Sequence, residues 1–340
     1  MQELADAISI ARETTIAFKP NDLGVREKLR PASTRNATVE EDIAYSLIVI
    51  FKSDIQPEYG EGYAALGHLL VETIDCSGEM TVLDWIGESS PYNSCLPASL
   101  AVYSHPSGAL HAIDDAEMES HVTALRNSLS EDDALLIHYR ITRLPPARFA
   151  NRRLPLPCIL FSVKRLSIQD SRNGSETSYR ARVSGIGGVE FRTSDRLSPK
   201  KPRKLAFVHP WLRELLDPLD GPDSETSDGN DDDDSNDDDD EYDDGDDDSD
   251  NSDSGSDFVS KEGSVSPLLN AAPATEMDDY TRALRLIVRL QQPFRALLLQ
   301  EQSNGEFKRI ASTRREIVIQ GLPRRINFAR DVRTEVVDVL

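Results

Sequence analysis

Residues 38–62 read TVEEDIAYSLIVIFKSDIQPEYGEG, and the reading of this stretch decides how the chain begins. Thr38 followed three residues later by Glu41 has capping-box spacing, and Glu40, Glu41 and Asp42 place negative charge at the positive end of a helix dipole. Ala44, Leu47, Ile48 and Phe51 then fall at i, i+3, i+4 and i+7, the apolar face of one helix that ends near Lys52. Pro57 lies in the loop beyond, and Gly60 and Gly62 bracket a turn whose backbone calls for positive φ. A second helix is expected over residues 63–73, burying Leu66, Leu69 and Leu70. The opening is thus helix, loop, glycine turn, helix.

Beyond Cys76 the texture changes to β. Residues 81–86 (TVLDWI) are a strand candidate and 89–93 a turn cluster, with a polar helix expected over 115–128. Residues 157–168 and 178–184 read as strands, the second alternating Tyr179, Ala181 and Val183 against Arg180 and Arg182. Gly185, Gly187 and Gly188 link it to 189–192, which predicts a hairpin; a GxGG between two strands lacks the spacing and following helix of a dinucleotide fingerprint. Near the other end, 294–300 and 307–311 flank Ser303-Asn304-Gly305, a hairpin signal, and 333–340 reads as a strand.

Between these lies an acidic stretch: residues 223–260 hold 20 Asp and Glu and no Lys or Arg. Such a segment cannot bury enough apolar surface to offset a backbone ordering entropy on the order of 1–2 kcal/mol per residue, so it is expected to be disordered. The predicted fold class is α+β: a helical segment at 1–75, a β-rich region at 76–220, a disordered acidic linker at 221–261, and a hairpin-containing segment at 262–340 that packs with 76–220.

The charge of −22 is mostly that linker; without it the net is −2. The rest is polarised, with 8 basic and 23 acidic residues in 1–138 against 16 basic and 4 acidic in 139–205. Unlike blocks attract within roughly 8 Å at physiological salt, so contact between blocks is the plain explanation of the basic middle. The linker is expected to solvate the chain or to meet basic surfaces in cis or in trans. Cys76, Cys95 and Cys158 are widely spaced and odd in number, which argues against a disulfide framework or a paired metal knuckle and fits a reducing compartment. Residues 1–15 lack the basic start and apolar core of a secretion signal, and no run reaches the ~18 apolar residues of a membrane span. A cytoplasmic protein follows, with the nucleus a second location offered by the basic run Lys200, Lys201, Arg203 and Lys204.

Few residues suggest chemistry. A carboxylate beside a phenol can relay protons, but helix capping already accounts for Glu41, Asp42 and Tyr45. Tyr59-Gly60-Glu61-Gly62 reads as a turn holding two helices, with anion or partner contact at the second helix as the alternative; Glu61 opposes an anion. Cys95 with His105 or His111 as base has no spacing that orients a pair, and Cys76 with His68 lacks further zinc ligands. No catalytic or metal residue and no cofactor is assigned. Nucleic-acid binding by the basic middle is disfavoured, because no recognition motif or stacking aromatics accompany the charge. Ser235 and Ser254 each precede an acid by three residues and are candidate phosphorylation sites.

EEDIAYSL (40–47) with YGEG (59–62) resembles the C-terminal part of the fungal heterokaryon-incompatibility (HET) domain. YNSCLPASLAVY (92–103), GGVEFRTSDRL (187–197), and PFRALLL with GEFKRIAS (293–312) resemble the region after that domain in basidiomycete members. The motif residues are Glu40, Glu41, Asp42, Ala44, Tyr45, Tyr59, Gly60, Glu61 and Gly62. The family's more N-terminal motifs have no counterpart before Thr38, so a truncated or inactive form is part of the expectation. The resemblance implies an intracellular protein of self/non-self recognition, linked to programmed cell death and acting through protein partners. Its alternative is a TIR-like NAD-hydrolysing effector; a charge-driven chromatin or nucleic-acid binder is the third reading.

Overall fold

The computed structural model describes residues 23–35, 37–105, 110, 113–173, 176–211, 215, 278–322 and 333–340. The predicted acidic linker, Ser235, Ser254 and His111 lie outside the described residues. The described part is α+β, built on one curved sheet with an apolar core on each face.

Strand β1 (Leu154–Asn173) organises that sheet. Its first half pairs with β9 (Arg333–Val339) and its second half with β2 (Glu176–Val183), while Cys158 to Ser162 pair on the other edge with β4 (Leu205–Pro210). Then β4 pairs with β6 (Leu297–Glu301), and β6 with β7 (Phe307–Ile310) across the predicted Asn304-Gly305 turn. Finally β7 meets β9 in parallel at Phe307 and Val339, which closes β1, β4, β6, β7 and β9 into a ring. Strand β3 (Gly187–Thr193) hairpins onto β2 and forms the free edge. A separate short pair joins β5 (Phe294–Arg295) to β8 (Val318–Ile319).

The period-2 alternation of β1 assigns its residues to two cores. Leu154, Leu156, Cys158 and Leu160 join the N-terminal helices and turns, whereas Ile159, Phe161 and Val163 join three helices from the middle and end of the chain. These three are α5 (Asp115–Arg126), α6 (Glu131–Thr142) and α7 (Asp279–Leu290), each started by a side chain, Asp114, Ser130 or Asp278, that accepts a first-turn N–H. Ahead of them come α1 (Val25–Leu29), α2 (Glu40–Tyr45), α3 (Ile48–Phe51) and α4 (Tyr63–Ser77).

Several local readings change. The single helix expected from Glu40 to Lys52 is broken at Ser46 and Leu47 into α2 and α3. No capping box forms: the residue before α2 is Val39, which gives no side-chain cap, and the Glu41 carboxylate is used elsewhere. Residues 81–86 are not a strand. Met80–Leu83 is a 3-10 helix, because the carbonyls a strand would need are taken by distant side chains: Tyr103 donates to Val82 at 2.7 Å, and Arg309 to Leu83 at 2.8 Å and Trp85 at 3.0 Å.

Candidate functional site

The two motifs of the opening stretch form one clasp. Oε1 of Glu41 accepts the N–H of Gly62 at 2.9 Å and of Gly60 at 3.0 Å, which ties α2 to the turn before α4. Both glycines have positive φ, 105° and 57°, so the turn that aims both N–H groups at one oxygen is open to glycine and strained for other residues. Gly62, Glu41's own N–H and Gly60 together hold this carboxyl below the usual range of a glutamate. The turn thus holds two helices, and the carboxylate that its N–H groups bind comes from within the chain.

The remaining motif residues lock the same loop. Tyr45 Oη accepts the N–H of Glu58 at 3.0 Å and lies 2.8 Å from the Glu58 carbonyl and 3.0 Å from Glu61 Oε1, its proton serving one or the other. Tyr59 donates to Asp42 Oδ1 at 2.9 Å and stands edge-on to Tyr45, with ring centroids 5.6 Å apart. Glu61 Oε2 is 2.6 Å from His68 Nδ1, and the His68 ring meets Tyr92 edge-on at 5.1 Å. Tyr92 fits because position 67 of α4 is glycine; a methyl group there would run into its ring. Ala44 is buried beneath the clasp, whereas Glu40 is exposed.

The clasp surface is apolar where a solvated surface is expected to be polar. Of ten exposed large apolar or aromatic residues among the described ones, five lie between positions 39 and 63: Val39, Val49, Ile50, Tyr59 and Tyr63. Val49 is 85% exposed and Tyr59 67%. Glu40, Asp54 and Glu58 of the same stretch are exposed as well, and Lys52 is its one basic residue.

A second charged side chain does comparable work in the interior. Arg309 on β7 is 5% exposed and donates to the carbonyls of Leu83 (2.8 Å), Trp85 (3.0 Å) and Cys95 (3.1 Å), its Cζ 3.9 Å from the centre of a Trp85 ring. Its N–H donates to Ser94 Oγ at 2.9 Å, and Asn93 donates to the carbonyls of Arg152 and Val339, each at 2.9 Å. Two stretches singled out above, 92–103 and 305–312, thus meet in one buried junction. Nothing in the local sequence announces Arg309 except its place in β7: Arg309, like its neighbour Ile310, is buried while Lys308 is exposed.

The candidates for nucleophilic and metal chemistry do not assemble. Cys95 is fully buried and burial pushes its thiol up to about 12; burial raises Cys158 as well. His105 is exposed, with Nδ1 2.9 Å from its neighbour Ser104 Oγ. His68 pairs with Glu61 rather than with the exposed Cys76. Among the described residues, no group of three His, Cys, Asp or Glu is placed to hold a metal ion, and no helix is long and apolar enough to cross a membrane.

The basic middle of the chain acquires a definite surface. Tyr179, Ala181, Val183, Val189 and Phe191 pack into the core shared with α5–α7, while the alternate positions Arg180, Arg182, Glu190 and Arg192 are exposed. Val163 faces Val183 and Arg165 faces Arg182, so Lys164 is the extra residue of a β-bulge and three cations share one site. Arg180 has its acid, Glu190, across the hairpin. Lys164, Arg165 and Arg182 have no ion-pair partner among the described residues, and like charges opposite one another are destabilising.

Comparison with protein-family models, with curated proteins and with solved structures found no match to the chain.

Proposed function

We propose that the chain is a HET-related recognition or signalling protein that acts through protein contacts, and that its contact surface is the clasp of residues 39–63. The observation that carries this reading is the pairing of a tightly specified support with an apolar exterior. Glu41, Asp42, Tyr45, Tyr59 and Glu61 of the motif are all engaged in fixing the loop, while Glu40 is exposed, and the large apolar and aromatic side chains displayed outward are Val39, Val49, Ile50, Tyr59 and Tyr63. Aromatic and aliphatic anchors on a rigid base are what a protein interface needs. The exposed acids of the stretch, Glu40, Asp54 and Glu58, favour a partner that carries basic residues beside its apolar contact. The test is capture of cross-linked partners in fungal cells by the wild type and by Val49→Asp, whose folding is checked by its melting temperature. Loss of the wild-type partner set at unchanged stability supports the reading; an identical set removes the clasp as the contact.

A second surface has its own support. Lys164, Arg165 and Arg182 around the bulge, without an ion-pair partner among the described residues, favour contact with an anionic surface, which includes the chromatin or nucleic-acid reading. Binding there would weaken steeply with salt, and Arg165→Glu with Arg182→Glu would flatten that dependence.

A further inference from the structure

A groove of about 660 Å³ runs between the N-terminal turns and the segment after β7; Arg26, Ile86, Val102, His105, Arg315 and Val318 are among its walls. Its volume is in the range of small-molecule sites. Its charges do not balance. Arg295 holds both nearby carboxylates, Asp84 at 3.3 Å and Glu316, itself part of the groove wall, at 2.6 Å. What is left for Arg26, whose side chain is 12% exposed, is a contact of 3.9 Å to the same Glu316 and one of 3.4 Å to the His105 carbonyl. Its Nε and Nη1 are shielded from solvent and have no acceptor among the described residues, and the centre of the Tyr103 ring lies 5.3 Å from its Cζ. Arg315 is exposed on the same groove and has no ion-pair partner among the described residues.

A largely buried guanidinium whose nearest carboxylate stands 3.9 Å away and is shared with Arg295 is incompletely compensated, and the cost falls when a closer anion is brought to it. Glu316, Ser104 and His105 also line the groove, and its apolar wall is made by Ile86 and Val102 on one side and Val318, 36% exposed, on the other. A bare inorganic ion would leave those walls wet, and an uncharged apolar molecule would leave Arg26 unpaired. We propose that this groove binds a small organic anion, a carboxylate or phosphate on an apolar body, with its head taken by Arg26 and Arg315 and its body laid along Ile86, Val102 and Val318. The site is separate from the clasp, so either can fail without the other.

Ligand-observed NMR titration of the full chain with decanoate, decyl phosphate, decanol and inorganic phosphate tests it. Decanoate, decyl phosphate or both should bind saturably, about tenfold or more tightly than decanol and than inorganic phosphate; the tighter of the two identifies the head group. Arg315→Glu and Val318→Glu replace exposed side chains and should each weaken that binding about tenfold at unchanged melting temperature. Arg26→Gln should do the same, with those two variants deciding the matter if it fails to fold. Decanol binding as tightly as decanoate and decyl phosphate, equal binding to both exposed-site variants, or no saturable binding by either anion would overturn the proposal.

Discussion

Glu41 and Arg309 hold the N-terminal layer in the same manner, one beneath a surface loop and the other inside a packed junction. Each directs one charged group at backbone atoms of a loop far away in sequence, Glu41 at two N–H groups and Arg309 at three carbonyls. Arg309 is enclosed, stacked on Trp85, at a junction that also engages Ser94 and Asn93. Glu41 is nearly as little exposed, at 7%, but it lies beneath a loop whose Tyr59 is exposed to water. The difference separates a fastening that keeps the layer folded from one that keeps a surface in shape, and this separation can be broken experimentally.

The largest effect belongs to Arg309→Met. Methionine fills similar space but leaves the carbonyls of Leu83, Trp85 and Cys95 without their donor in a dry interior, and a loss on the order of 3–5 kcal/mol is expected from denaturant unfolding. A loss comparable to that of an exposed substitution would mean that the junction is not a fastening at all.

Next comes the charge beside that junction. Burial pushes Asp84 up to about 6 from 3.8, against the pull of Arg295, so its contribution is full below about pH 4 and declines as pH rises toward 6. Burial pushes His209, stacked on Phe294, down to about 4 from 6.5, so its contribution is present above about pH 6.5 and declines as pH falls toward 4. The two are of similar size, on the order of 3 kcal/mol each, and opposite in sign. The wild type should therefore show little net slope from these groups between pH 4 and 6.5. Asp84→Asn should make stability rise with pH across that window and His209→Phe should make it fall, as read from unfolding midpoints.

Glu41→Gln should give the smallest global change and a local one. A neutral amide oxygen accepts more weakly than a carboxylate, so the amides of Gly60 and Gly62 should exchange faster while those of α5–α7 keep their protection. Because Glu41 titrates below an ordinary glutamate, the wild type should lose the same protection as pH falls through that lowered value. Uniform loss of protection across the sheet would erase the distinction from Arg309.

Which of these features could be read from the sequence follows the range over which they act. The hairpin β2–β3, the Asn304-Gly305 turn, the strand at 333–339 and helix α5 rest on local periodicity and turn chemistry, and each was visible in the residues. Helices α6 and α7 carried the same kind of signal, Ser130 before Glu131-Asp132-Asp133 and Asp278 before the spaced Ala283, Leu284, Ile287 and Val288, and went unread. Residues 81–86 have strand-forming side chains but carbonyls engaged by Tyr103 and Arg309, so distant contacts override propensity. For Glu41 the local rule is incomplete: the three acids do stand in the first turn of α2, as a helix dipole favours, and only the folded chain shows that the middle one reaches 19 and 21 residues onward. The groove at Arg26 joins residues from both ends of the chain, and no window of sequence contains it.

The claim that function resides in the clasp surface is tested most directly by placing a photo-reactive phenylalanine analogue at position 49 and, in a separate protein, at position 336, an exposed valine on β9 far along the chain. Irradiation in fungal cells should give a discrete protein adduct from position 49 and none from position 336. Adducts of equal yield from both, or from position 336 alone, would contradict the account.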